Sequence, residues 1–264
     1  MKKIKIPKPA EPKPIRQAGE SLREQMDGIF TDGVTVWYIQ ILTLIVASCM
    51  AWYLVFFPNR AKGTAIIYTI MAIGLCVVNT RKFFKARKHY GNLKKGLLGE
   101  RLVEEQLNDI RKAGFDVFHD FILTDDRGTE NIDHIIVGPS GVFTLETKNW
   151  TSKAVPQDDL ITYDGENLKI GTYVQDIKVL KQPRRQAAKL QALLQPEMKN
   201  SLWVVPILCF RNRTIRLTRF KPNGLQVVNE NDIGTFVLSK ANQLDPKDIK
   251  KIVAKLKELN RKEE

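Results

Sequence analysis

Cysteine is scarce in this chain. There are three, Cys49, Cys76 and Cys209, and none stand at Cys-x-x-Cys spacing. That argues against a disulfide framework and against a cysteine zinc site, and it points to a reducing compartment for the soluble part. Acid is also in deficit, with 29 Asp and Glu against 42 Lys and Arg, a net charge of +13. A balance this basic suits polyanions, either nucleic acid or the anionic face of a membrane. The excess has two locations. Residues 1–80 carry nine basic and five acidic residues, net +4, and the remainder carries 33 and 24, net +9. No internal repeat is evident. Helix-turn-helix, zinc-finger and RNA-binding aromatic signatures are absent, so sequence-specific base reading is not expected.

What is present divides along the chain. Hydrophobic content is 43%, enough for a packed core, and charged content is 27%, too high for a wholly membrane-embedded protein. Residues 1–33 are a Lys- and Pro-rich tail, with Pro at 7, 9, 12 and 14, expected to be extended or disordered and a poor signal peptide. Residues 34–80 hold two uncharged runs, about 36–57 and 63–80, joined by "PNRAK". The first spans about 33 Å as a helix and the second about 27 Å, close to a hydrocarbon core. Trp37, Tyr38, Trp52 and Tyr53 near the ends of the first suit membrane interfaces. A transmembrane helical hairpin is the expectation. The tail has seven basic residues and 81–95 has seven more, so both termini should be cytoplasmic. The juxtamembrane segment 81–92 should lie against anionic headgroups.

From residue 93 to the end the pattern is globular. A helix is expected from 93, with Val103, Leu107 and Ile110 at i, i+4 and i+7. A strand over 115–123 and a turn lead into "NIDHIIVGPSGVFTLETKNW", residues 131–150. A second hairpin over 161–170 turns at Asp164-Gly165. A helix follows over 183–195, with Pro183 at its start, then a strand over 202–210 placed near a sheet edge by Pro206. A short strand, "LQVVN", and a terminal helix over 245–260 capped by Asp245 complete an α/β fold around a mixed sheet.

The segment 131–150 carries the chemistry. If the turn at 138–141 closes an antiparallel hairpin, Val137 faces Val142 and Asp133 faces Glu146. Glu146 and Lys148, two apart, share a face with Asp133. Ile132, Ile136, Phe143 and Leu145 fall on the other face as core, with His134 among them as a half-buried, hydrogen-bonded residue. Directly opposed, the two acids would have Cβ atoms about 4.5–5.5 Å apart, and their like charges would repel. A shared proton, a salt bridge to Lys148, or a divalent cation would each relieve this. As a bare pattern, Asp-x12-Glu-x-Lys also fits an ordinary solvated face.

"GERLVEEQL", "NIDHIIVGPSGVFTLETKNW" and "PRRQAAKL" together resemble the nuclease-related domain, NERD, of the PD-(D/E)xK nuclease-like superfamily. The likeness covers roughly residues 93–210. It implies a restriction-endonuclease-like fold, with Asp133 and Glu146 as metal ligands, Lys148 as catalytic lysine, Glu100 as a further acid from the first helix, and Gln186 as a supporting glutamine. It implies Mg²⁺ or Mn²⁺ as cofactor and nucleic acid, DNA ahead of RNA, as substrate. Ile132 stands where the superfamily has proline. Glu104, one turn beyond Glu100, is the rival acid. Arg184, Arg185, Lys189, Arg211, Arg213, Arg216, Arg219 and Lys221 are candidate phosphate contacts, while Trp150 and Trp203 are read as packing residues. The expectation is a membrane-anchored, metal-dependent nuclease. A membrane-tethered nucleic-acid-binding scaffold that no longer cuts is the alternative, and an adaptor whose basic segments serve only lipid is a third.

Overall fold

The computed structural model describes residues 16–29, 31, 35–56, 62–126, 128–150, 160–171, 173–219 and 224–260. The Pro-rich part of the tail, the linker residue Arg60 and Lys221 lie outside them. The chain divides into two compact units, one of residues 21–98 and one joining residues 1–20 to 99–264.

The first unit is helical. Helix α1 spans Glu20–Gly28, α2 Thr35–Val55, and α3 begins at Lys62 and runs to Lys112. α2 carries no charge, and its hydroxyls turn back onto their own helix: Thr43 Oγ1 donates to Ile39 O and Ser48 Oγ to Leu44 O, both at 2.8 Å. That satisfies polar groups without an outside partner. Trp52 Nε1 donates to Thr69 Oγ1 at 2.9 Å, tying α2 to α3. Among the described residues one helix, over Thr35–Tyr53, is long and apolar enough to cross a membrane. The second expected span, 63–80, is not a helix of its own. It is the opening of a 51-residue helix that continues without a break through the basic segment 81–92 and past the expected domain boundary at 93. No proline interrupts 62–112, and Lys, Arg and Leu propagate a helix readily.

The second unit is built on a five-stranded mixed sheet in the order β1-β2-β3-β7-β9. Its strands are β1 (Asp116–Asp125), β2 (Gly128–Gly138), β3 (Gly141–Lys148), β7 (Val204–Phe210) and β9 (Gln226–Asn229). β1, β2 and β3 are antiparallel, while β7 joins β3 and β9 joins β7 in parallel. The β2–β3 register is as read from the turn: Val137 pairs with Val142, Ile136 with Phe143 and His134 with Leu145. Gly141, at φ +130°, takes a backbone conformation that closes the turn at little cost to glycine alone. A second sheet, in the order β6-β5-β4-β8, holds β4 (Leu160–Tyr163), β5 (Leu168–Ile170), β6 (Tyr173–Val174) and β8 (Thr214–Leu217). β8 arises within the basic stretch 211–221, where no strand was expected.

Helices cover both faces of the main sheet. Helix α4 (Lys178–Leu194) places Ala187, Leu190 and Leu194, and α6 (Pro246–Leu259) places Ile252, Val253 and Leu256, against Phe118, Ile135, Val137 and Val142. The end of α3, through Val103, Leu107 and Ile110, and the short α5 (Ile233–Leu238) cover Ile136, Phe143 and Leu145. Each such side chain contributes about 1.5–3 kcal/mol on burial. Asp245 caps α6 as expected, accepting from the N–H groups of Lys247 and Asp248.

Three local expectations are corrected. Helix α4 starts five residues before Pro183, which lies inside it. β7 is an interior strand rather than an edge one; Pro206 pairs with Thr144 on one side, but the β9 ladder begins only at Ile207, so the other flank is still open at the proline. Ile132 packs with Ile135 instead of with Ile136 and Phe143. The cause is Asp120, whose φ of +48° interrupts the β1–β2 ladder between His119↔His134 and Phe121↔Ile132, so alternation slips by one on either side.

His134 is fully buried instead of half-buried, and its Nδ1 meets His119 Nδ1 at 2.7 Å with the rings edge to face. Burial, then the Arg111 guanidinium, pulls His119 down to about 4 despite Asp120, and burial with His119 and Arg111 holds His134 well below its ordinary value. The fold therefore prefers both imidazoles neutral. Their contribution is complete above the unfolded value of about 6.5 and is lost as pH falls from there towards about 4. Melts of the detergent-solubilised chain should lose about 5 °C or more across that window. A flat profile would show that the pair is not buried neutral.

Candidate active site

The site lies where β3 runs out between α3 and α4. Val142, Glu146 and Lys148 are at even spacing on the α4 side of the strand. Gln186 of α4 donates from Nε2 to Glu146 Oε2 at 2.7 Å and to the Asn131 carbonyl at 2.8 Å. Lys148 Nζ donates to Glu146 Oε1 at 2.5 Å and to Gln182 Oε1 at 3.2 Å. Asp133 sits at the interruption of the β1–β2 ladder, and its Oδ2 accepts from the Thr147 N–H at 2.7 Å. The β2–β3 pairing ends one step earlier, at His134↔Leu145, so the acid meets the neighbouring strand through its side chain.

Glu100 arrives from the opposite side, on α3. Gly99 lets the helix approach: a Cβ there would stand 2.8 Å from Asn149 Cβ, closer than real contacts allow. Glu104 stays outside, 3.6 Å from His119 Nε2 and 3.9 Å from Arg111. All five expected residues, Glu100, Asp133, Glu146, Lys148 and Gln186, thus lie within one electrostatic neighbourhood. Asp133, Glu146, Glu100 and Gln186 are buried.

Burial dominates the protonation of the cluster. It raises Glu100 to about 8, helped by the charges of Asp120 and Glu146 and opposed by the Gly19 N–H and Lys148. Burial, Glu146 and Glu100 likewise hold Asp133 well above the usual carboxylate range, against the Thr147 N–H and Lys148. For Lys148 burial pulls downward, but Glu146, Asp133 and Glu100 together outweigh it and leave the amine above its ordinary value. The mutual repulsion of the acids is what a cation would relieve. Among the described residues no group of three or more His, Cys, Asp or Glu is gathered at metal-ligand spacing. Mg²⁺ needs only one or two carboxylates, with water completing its octahedron. Asp133 and Glu146 meet that requirement, and Glu100 Oε2 and Gln186 Oε1 are buried oxygens with no hydrogen-bond partner. The donor set fits a hydrated hard cation.

The expected phosphate contacts fare differently. Arg184 donates to Tyr163 Oη at 3.0 Å and to the Gly165 carbonyl at 3.1 Å. Arg185 forks onto Glu130, Lys189 is bound to Asp125 at 2.7 Å, and Arg213 donates to the Trp150 carbonyl at 3.0 Å. Arg216 and Arg219 are exposed. Trp150 packs on Phe210, as expected, but Trp203 is 46% exposed and is no core residue. Sequence reading missed Asp120, which is fully buried and bound to Asn131 Nδ2 at 2.9 Å. The signal was available, since Asp120 is an acid inside the apolar strand 115–123, as Asp133 is in its own.

Residues 95–211 match the family model described as "Nuclease-related domain", NERD. This stretch is similar to NERD domains. It encloses all five site residues. A 57-residue part of the chain is 39% identical to an uncharacterized Bacillus anthracis protein, pXO1-01, covering 21% of this chain and 27% of that relative. The chain thus spans about a quarter of that relative's length. The crystal structure of a protein of unknown function, AF1548, aligns at 10% identity and a TM-score of 0.30, over 53% of this chain and 64% of that one.

The acids of this stretch make a stability prediction. Glu100 titrates near 8 in the fold against 4.5 unfolded, so the fold favours its protonated form. The stabilisation this gives is complete below 4.5 and is lost as pH rises through 8. In metal-free protein, Glu100→Gln should raise the melting midpoint at pH 8.5 by about 2–4 °C and leave it unchanged at pH 4. An equal effect at both pH values would place Glu100 outside the cluster.

Proposed function

We propose that the chain is a membrane-anchored, Mg²⁺-dependent nuclease that hydrolyses phosphodiester bonds, with DNA as the preferred substrate. One observation carries the reading: within a stretch that matches a nuclease-related domain, Glu100, Asp133 and Glu146 are each buried within reach of one another's charge, with Lys148 and Gln186 bound to Glu146. Asp133 and Glu146 would hold the cation and Glu100 would complete the set. Bound there, Mg²⁺ offsets phosphate charge and makes its water more acidic. Lys148 orients the attacking water and stands against the negative charge that builds on the phosphoryl oxygens. Its amine stays charged, because the acids around it outweigh burial. Gln186 holds Glu146 in place through Nε2. Among the described residues no base-reading element faces the site, which supports cutting by structure or without preference.

Anchoring is supported by the helical unit. The 21 residues of α2 span about 32 Å, and the apolar residues of α2 and of the start of α3, among them Ile39, Leu42, Met50, Ile67, Ile70 and Met71, are exposed. So much apolar surface is suited to lipid and not to water. The proposed topology has two crossings, with both termini and the NERD-like domain cytoplasmic, because basic residues concentrate before α2 and in 81–95.

The inactive nucleic-acid-binding scaffold is favoured by one observation, that no three-ligand group is preassembled among the described residues. The full chain in detergent, incubated with single- and double-stranded DNA and RNA, separates the two. Metal-dependent cleavage is expected, reduced by about 100-fold or more in Glu146→Ala and in Lys148→Ala. Salt-sensitive binding with no cleavage by the wild type would establish the scaffold. Anchoring has its own check: the chain should remain in the membrane pellet through alkaline carbonate and high salt and be released by detergent. Release by salt alone would remove the anchor.

A further inference from the structure

The short stretch before α1 reaches the acid cluster. Arg16 Nε donates to Asp120 Oδ2 at 2.7 Å, with the arginine side chain 11% exposed and the aspartate 0%. Three residues on, the Gly19 N–H favours the charged form of Glu100. Ala18, between them, is buried. Gly19 has a φ of +70°, a left-handed turn that glycine takes at little cost. The stretch therefore binds, through Arg16, a buried acid beside the site.

The contacts continue inward. Asp120 accepts from Asn131 Nδ2 at 2.9 Å, the Asn131 carbonyl accepts from Gln186 Nε2 at 2.8 Å, and the same Nε2 donates to Glu146 at 2.7 Å. An unbroken run of polar contacts thus links Arg16 to Glu146. Asp120 also faces Asp133 across the interrupted ladder and adds its charge to that felt by Glu100. Arg16 places a guanidinium on this fully buried carboxylate, and losing one member of such a pair is costly.

We propose that Arg16 is a working part of the nuclease site, positioning the acids that hold the cation through Asp120 and the Asn131 and Gln186 contacts. The proposal rests on the nuclease reading above. Arg16 and Asp120 are positioning residues, since neither is placed to touch phosphate. A consequence is that the domain from 99 onward is incomplete as a nuclease without the sequence that precedes the membrane helix.

The test uses the full chain in detergent and measures Mn²⁺ binding by calorimetry beside Mg²⁺-dependent cleavage. Arg16→Ala should weaken Mn²⁺ binding by about tenfold or more, because Asp120 loses the buried guanidinium that orients it. Arg16→Lys keeps the charge but not the planar fork, and should weaken it by about threefold. The double variant Arg16→Ala with Asp120→Asn removes both members and should bind more tightly than Arg16→Ala alone. Wild-type Mn²⁺ affinity in Arg16→Ala, whatever its melting midpoint, would overturn the proposal by reducing the segment to packing. If Arg16→Ala does not fold, Arg16→Lys decides on the same measurement: threefold weakening supports the proposal and equality with wild type overturns it. A wild type that neither binds Mn²⁺ nor cleaves fails together with every variant. That outcome sinks the nuclease reading and this proposal with it.

Discussion

Like charge confined in a dry space is the constraint on which the rest of the site depends. Glu100, Asp133 and Glu146 approach one another from a helix and two strands, and burial is the largest influence on Glu100 and Asp133. Such a cluster persists only where its neighbours over-determine it. Here Thr147 offers Asp133 a backbone N–H, and Gln186 and Lys148 clasp the two oxygens of Glu146. The packing on both faces of the sheet keeps these groups in place.

The sheet tolerates the cluster because it is not regular there. At Asp120 the backbone turns left-handed, the β1–β2 ladder lapses for one step, and alternation shifts. Asp133 is released from ordinary cross-strand pairing at the point where it accepts from the Thr147 N–H. Gly99 does the same for the helix, since any side chain at that position would hold α3 away from Asn149. Two local departures from regular geometry, one in a strand and one on a helix, thus bring three acids together.

The hairpin was legible for a simple reason. A two-residue turn between glycines sets the register, and the register with a period of two assigns faces, so the placing of Glu146 and Lys148 together needed no tertiary knowledge. The strongly periodic end of α3 and the capped α6 were legible on the same ground. The start of α4 was not, because Pro183 reads as a helix start when its neighbours are unknown. Ile132 and Pro206 misled for a related reason: an edge or a face is a property of neighbouring strands, which a single segment does not contain. The basic residues were read as free for phosphate because their acidic partners, Glu130 and Asp125, lie more than fifty positions away.

By itself the sequence determined the first apolar helix, the turn register, the acid-acid-lysine pattern and the resemblance to a nuclease-related domain, since all of these are written in local order and spacing. Only the tertiary structure decided which acid on α3 enters the site, that Asp120 belongs beside it, that Arg184, Arg185 and Lys189 are engaged within the protein, and that residues 16–19 return to the acid cluster. Those outcomes depend on groups distant along the chain meeting in a place with little water. There the cost of an unpaired charge is high enough to select the partner.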